Sequence, residues 1–227
     1  MGNLSPALRG VTVSMIMLTG VVPSFFAGHL ADRYGRLVVI MAGALIFAIG
    51  AILQAAAYSL PVFMLGRALG GIGEGTWMSA LAVYITEIAP SSRRGALVSM
   101  PQLMATAGIC AGYFTCYASV HLDSSLSWRA TFIVQAGLGA ILAASCFFLP
   151  QSPRWLLVHN QREKAIEAIK RLDFSTVEAE KDLLGPAAAQ QRTVRPGPVE
   201  GIIMIFRKEF RSRTMLAFFM LGMFPTH

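Results

Sequence analysis

Long apolar runs alternate with short charged punctuation along this chain. Residues 11–31 hold no Asp, Glu, Lys or Arg and one terminal histidine, His29. Residues 37–57, 95–119 and 130–149 hold no charge at all. A bilayer core about 30 Å thick needs roughly 20 apolar residues as helix. Each run therefore predicts one membrane-spanning helix. A fifth run, 61–83, fits by length but contains Arg67 and Glu74, and a sixth starts at Thr214 and reaches His227. The pattern predicts five complete transmembrane helices and one partial one. A soluble bundle with buried helices would seldom repeat uncharged stretches of this length four times.

Composition strengthens this reading. Of 227 residues, 55% are hydrophobic and 14% are charged, whereas a soluble domain carries about 25% charged residues. Mean hydropathy is +0.57. The formal net charge of +7 is unevenly placed. The linkers after the first and third runs carry Arg33, Arg36, Arg93 and Arg94, and residues 151–213 carry twelve Lys and Arg. The other two linkers, residues 58–60 and 120–127, carry none. Basic residues collect in cytoplasmic loops, so the linkers after runs one, three and five face the cytoplasm. This asymmetry accounts for the pI near 9.8. A nucleic-acid surface is not required, and no interleaving of aromatic and basic residues suggests one. The first run is too long for the apolar core of a signal peptide, and it ends in charges, not in a cleavage site.

Catalytic signatures are lacking. Cys110, Cys116 and Cys146 lie inside apolar runs at spacings that suit no metal, and they read as buried thiols. The four histidines form no HExxH, and neither GxSxG nor a P-loop occurs. The string GGIGEG at 70–75 lacks the spacing of a phosphate loop. Gly66, Gly70, Gly71 and Gly75 instead form small-xxx-small pairs, which let helices approach closely. No enzyme, cofactor or metal site is expected.

The charged turn GHLADRYGR, residues 28–36, has more order than positive-inside anchoring requires. Gly28 suits close packing, Gly35 a tight turn, and Asp32 stands at a helix end within reach of an arginine. The string resembles the loop between helices two and three of the major facilitator superfamily. GRALGGIGEG at 66–75 resembles the GRxxxGxGxG of sugar porters, and VYITEIAPSSRRG at 83–95 resembles their PxYxxEIAPxxxRG. Trp128-Arg129 resembles the WR that opens helix six, and PQSPRWL at 150–156 the PESPRWL that follows it. The chain is thus similar to the sugar porter family over nearly its whole length. The resemblance implies an all-α membrane protein, a partial N-terminal bundle of that superfamily.

The alignment assigns residues 1–150 to family helices two to six, 151–212 to a cytoplasmic segment of intracellular helices, and 213–227 to the start of helix seven. It leaves helix one and its coupling carboxylate outside this sequence. It implies a cytoplasmic gate of Asp32, Arg33, Gly35, Arg36, Glu87, Arg94, Gln151 and Arg154. Arginine–carboxylate pairs suit a gate because they are directional and bidentate. Gln151 departs from the family's glutamate, so its part of the clamp is expected to be weaker. Arg93 reads as a solvated loop charge.

Within the membrane, Gln102 occupies the position of a family sugar-binding glutamine, and its amide can donate to and accept from a hydroxyl. Ile109 lies two turns on along the same face and is expected to tune selectivity. Trp77 and Tyr113 read either as cavity lining or as packing aromatics. Arg67 and Glu74 are intramembrane charges, which usually face a cavity or a partner. Seven residues of helix put about 10 Å between them, too far for a direct pair. Arg67 matches a family coupling arginine. Glu74 matches no family motif residue and is a candidate proton or substrate carboxylate.

Beyond the gate, Ala165, Ile166, Ile169 and Leu172 recur at helical spacing, with Glu167 and Arg171 at i,i+4. Ser175 and Glu178 suggest a capping box, and residues 201–210 an interfacial helix. The expected function is alternating-access transport of a hexose-type sugar or related polyol, as part of a multi-pass plasma-membrane porter, with H+ as the candidate coupling ion. Expected partners are the sugar, the lipid bilayer, and either the other half of a transporter or a second copy of this chain. The rival reading is a transport-inactive, porter-like regulator or sensor.

Overall fold

The computed structural model describes residues 5–90, 93–120 and 126–172. All its regular elements are helices: α1 Pro6–Tyr34, α2 Arg36–Ala56, α3 Leu60–Ile88, α4 Arg94–Val120, α5 Leu126–Ser145, α6 Pro153–Val158 and α7 Arg162–Arg171. The five apolar runs are the five long helices. Among the described residues, three segments are long and apolar enough to cross a membrane: Pro6–Tyr34, Arg36–Ala56 and Arg94–Ala118. The other two long helices carry internal charges, Arg67 and Glu74 in α3 and Arg129 in α5. The chain divides into two compact units, Met1–Gln190 and Gln191–His227. The capping box at Ser175, the interfacial helix at 201–210 and the partial helix from Thr214 lie outside the described residues.

The helices extend past the uncharged runs, because charge does not oppose helix where the chain leaves the bilayer. Ser5 caps α1 by accepting the Leu8 amide at 3.4 Å, with Pro6 preset in the first turn. At the other end, α1 continues through Asp32, Arg33 and Tyr34. The turn expected over 28–36 is therefore one residue long. Gly35 joins α1 to α2 with φ 100 and ψ 150, a conformation essentially restricted to glycine.

Helix α3 is the centre of the bundle and packs against both α1 and α2; α5 lies on α2, and α4 bridges α5 and α3. The glycine stripe explains this arrangement. On one side, Gly66, Gly70 and Gly73 meet α2 at Gly50, Gln54, Gly43 and Phe47. On the other, Gly71 and Gly75 meet α1 at Ile16, Thr19 and Gly20. The small-xxx-small pairs thus serve two separate interfaces. Gly139 of α5 similarly rests on Ala44 and Ala48 of α2. Gly28 does not behave as expected: it is exposed and packs on nothing among the described residues, while its neighbour Ala27 takes the buried position.

Buried Ala31, Val39, Ile40, Ala80 and Tyr84 form a core at the end of the bundle that carries the α1–α2 turn. Helices α1 and α4, in contrast, show broad apolar surface, with Met17 80% and Ile109 74% exposed. Sparse cover on α4 also corrects the reading of the cysteines. Cys110 and Cys116 are exposed there, and of the three only Cys146 is buried.

Candidate functional site

The charged turn builds one compact polar cluster. Arg36 opens α2 directly after Gly35, which aims its guanidinium across the end of α3. There it donates to Glu87 through Nε and Nη2, both at 2.9 Å, a bidentate pair with each side chain only 9% exposed. Nη1 donates to the Ala31 carbonyl at 3.0 Å, filling an acceptor at the end of α1. Nη2 also reaches the Asp32 carboxylate at 2.7 Å. The Asp32 side chain is 54% exposed, so that second contact is partly screened and worth little. Glu87 takes a third bond from the Ser152 hydroxyl at 2.6 Å.

Ser152 ties this cluster to the next helix. Its hydroxyl oxygen also caps α6, accepting the Trp155 amide at 3.4 Å. The Trp155 indole N–H donates to the Asp32 carbonyl at 2.9 Å, and the Tyr84 hydroxyl donates to the Pro150 carbonyl at 2.8 Å. Helices α1, α2, α3 and α6 are thereby locked at one end. Neither Ser152, Trp155 nor Tyr84 was singled out from sequence as a gate residue. Ser152 and Trp155 lie inside PQSPRWL, so the motif was the available signal.

Of the eight expected gate residues, Asp32, Arg36 and Glu87 meet directly. The Gln151 amide packs against Gly35, within 3.3 Å of where a Cβ would stand, and its Oε1 is buried without a hydrogen-bond partner. Arg33 stays outside the cluster, with its guanidinium 5.5 Å from the Tyr34 ring centroid. Arg94 instead donates to the Ala89 carbonyl at 3.4 Å, as the first residue of α4. Arg154 sits half-buried in α6. Replacing Gly35 with alanine should cost about 1–3 kcal/mol, from backbone strain and crowding against Gln151. Thermal unfolding of the purified chain checks this, and an unchanged midpoint would refute it.

In the next polar feature, α3 and α4 enclose a cavity of about 500 Å³ lined by Trp77, Met78, Leu81, Ile85, Pro101 and Gln102, among others. Gln102 makes no side-chain hydrogen bond among the described residues. Trp77 also packs edge-on to Phe47 of α2, at 6.5 Å between ring centroids. Its indole N–H is buried without a partner. The Gln102 amide is thus the unmet polar group on the cavity lining, while the Trp77 indole N–H is buried within the helix packing. Tyr113 and Ile109 lie further along α4, 70% and 74% exposed, and do not line the cavity. Two turns separate Ile109 from Gln102, which carries it past the end of the space.

Arg67 and Glu74 do not pair. The Arg67 guanidinium lies 5.4 Å from the Phe63 ring centroid and 5.8 Å from that of Phe132, and its Nε is buried without an acceptor. Cation–π contacts of this kind partly replace lost hydration. Sequence reading passed over Gln54 entirely. It is fully buried at the far end of α2, and its Nε2 donates to Gly50 and Gly66 carbonyls at 3.2 and 3.3 Å.

The chain matches the family described as sugar (and other) transporter over residues 3–225. It belongs to this family. Among sugar transporter relatives, the glucose transporter GlcP of Staphylococcus epidermidis is 35% identical over 180 residues, 79% of this chain and 40% of that protein. The arabinose-proton symporter of Bacillus subtilis is 36% identical over 189 residues, again 79% and 40%. The xylose transporter XylE from E. coli, in a partially occluded inward-open conformation, superposes with a TM-score of 0.73 at 22% identity, over 84% of this chain and 51% of its own. The fold is therefore part of a major facilitator superfamily bundle, and the protein is an integral membrane protein. The chain spans about 40% of the length of those two curated relatives.

Outside the membrane helices, α7 confirms the predicted Glu167–Arg171 contact at 3.3 Å. Its buried face differs from the expected one. Ala165 and Ala168 pack against Leu156 and Leu157 of α6, while Ile166 is 44% exposed.

Proposed function

We propose that this chain supplies sugar-contacting and gating elements of a porter for a hexose-type monosaccharide or related polyol, working by alternating access in the plasma membrane. The observation that carries this reading is the α3–α4 cavity, an apolar space lined by Gln102, whose amide has no hydrogen-bond partner among the described residues. A sugar offers hydroxyl groups for this amide and apolar C–H faces for the remaining lining. Binding sites of this kind are mostly apolar, with few fixed polar groups.

The Arg36–Glu87–Ser152 cluster fits the gate. It joins four helices at one end, and transporters of this class rock one bundle against another around a central site. Gln151 can hydrogen-bond within such a clamp but supplies no charge.

Equilibrium binding of D-glucose and D-xylose to the chain in lipid nanodiscs, read by tryptophan fluorescence, tests the proposal. Gln102→Ala should weaken binding about threefold to tenfold, the worth of one net hydrogen bond. Labelled-glucose uptake in cells without their own hexose carriers should be saturable and fall in the same variant. Sugar binding that ignores Gln102→Ala would sink the assignment of this cavity.

A further inference from the structure

Glu74 is the middle residue of α3, with fourteen residues of helix on either side. At 1.5 Å per residue it stands roughly 21 Å from each end. Its neighbours on the helix surface are the residues three, four and seven places on: Trp77, Met78 and Leu81. All three line the α3–α4 cavity. Glu74 therefore continues the cavity face of α3 by one turn, towards the helix midpoint.

Its surroundings contain little that could hold a permanent charge. Thr76 and Ser79 spend their hydroxyls on the Ile72 and Gly75 carbonyls. At its level α1 presents Ile16, Thr19 and Gly20, and α2 presents Gly43, Phe47 and Gly50. The ionisable residues of α1, namely Arg9, His29, Asp32, Arg33 and Tyr34, lie towards its ends, and α2 holds only Arg36 at its start. Helix α4 brings Arg94, Cys110, Tyr113, Cys116 and Tyr117, α5 brings Arg129, and Cys146 follows just past its end; none pairs with Glu74. Arg67 lies two turns away on the same helix and makes no ion pair with it. Among the described residues no set of three or more His, Cys, Asp or Glu comes together. A hard metal cation takes six or more oxygen ligands, whereas a proton needs one carboxylate.

We propose that Glu74 is a proton-binding site beside the sugar cavity, one helical turn beyond the α3 residues that line it. The carboxylate takes one proton from water that enters the cavity and returns it to water. No other bond changes. Linkage of this proton to sugar rests on the transport reading above, while the proton site itself rests on the position of Glu74.

The test is infrared difference spectroscopy of the full chain in nanodiscs as pH is stepped, with and without D-glucose. The wild-type chain should show a protonated-carboxyl band that grows as pH falls. Glu74→Gln should remove it, and Glu74→Asp should restore it at a displaced frequency, with circular dichroism confirming helix content in both. D-glucose should move the wild-type midpoint. A band unchanged in Glu74→Gln overturns the proton site. A midpoint that D-glucose leaves in place, although D-glucose binds, overturns the coupling. A Glu74 band present when D-glucose fails to bind upholds the proton site and refutes the sugar reading instead.

Discussion

Replacing Glu87 with alanine should destabilise the helical bundle by about 3–5 kcal/mol. The size follows from what is left behind. Arg36 is already 93% buried as a residue, and two of its three nitrogens donate to Glu87. Without the carboxylate, Nε loses its acceptor and the guanidinium keeps only the Ala31 carbonyl and the exposed Asp32. Ser152 loses its acceptor too. The cost is that of an uncompensated buried charge more than that of a lost attraction. Removing both partners should therefore be milder: Arg36→Met with Glu87→Leu should recover much of the loss, since apolar replacement of a buried pair is often close to neutral. Unfolding in mixed micelles measures all three chains. A loss below about 1 kcal/mol in Glu87→Ala would place the pair among ordinary solvated ion pairs, and the claim of a buried lock would fall.

The sequence already held the helices, because an uncharged run of bilayer length has few other folds open to it. It also held the role of Gly35, since its place between two charged helix ends leaves room for nothing longer than a turn. Pairing was less legible. Arg33, Arg36, Arg93 and Arg94 are chemically identical, and only the direction in which α2 leaves Gly35 selects Arg36 for Glu87. Gln54 was invisible for a related reason. One of its two acceptors, the Gly66 carbonyl, belongs to the next helix and comes into range only because Gly50 and Gly66 let α2 and α3 meet. Trp77 and Tyr113 likewise read alike along the chain. The cavity separates them, since it forms where α3 and α4 approach and closes before Tyr113. Spacing was a sound guide within one helix and a poor one across two.

The two sides of the glycine stripe lead to the second large effect: Gly75→Ala should weaken the chain by about 2 kcal/mol, and the same change at Gly112 should strengthen it. A Cβ on Gly75 would overlap the backbone carbonyl of Gly20, and Gly71 stands equally close to the Ile16 carbonyl. Backbone cannot swing aside as the tip of a side chain can, so α1 must move away from α3. Overpacking of this kind costs about 1–3 kcal/mol. In a membrane the loss is not offset by a hydrophobic drive between helices, because close van der Waals packing is itself what holds them together. Gly112 of α4 has nothing within 4 Å of its would-be Cβ. Alanine there meets no obstacle and gains helix propensity of up to about 1 kcal/mol. The two substitutions add the same methyl group to the same kind of helix, so opposite signs in thermal unfolding isolate packing from propensity. If both midpoints moved the same way, the α1–α3 contact would not be the tight interface that the glycines describe, and α3 would lose its place as the centre of the bundle.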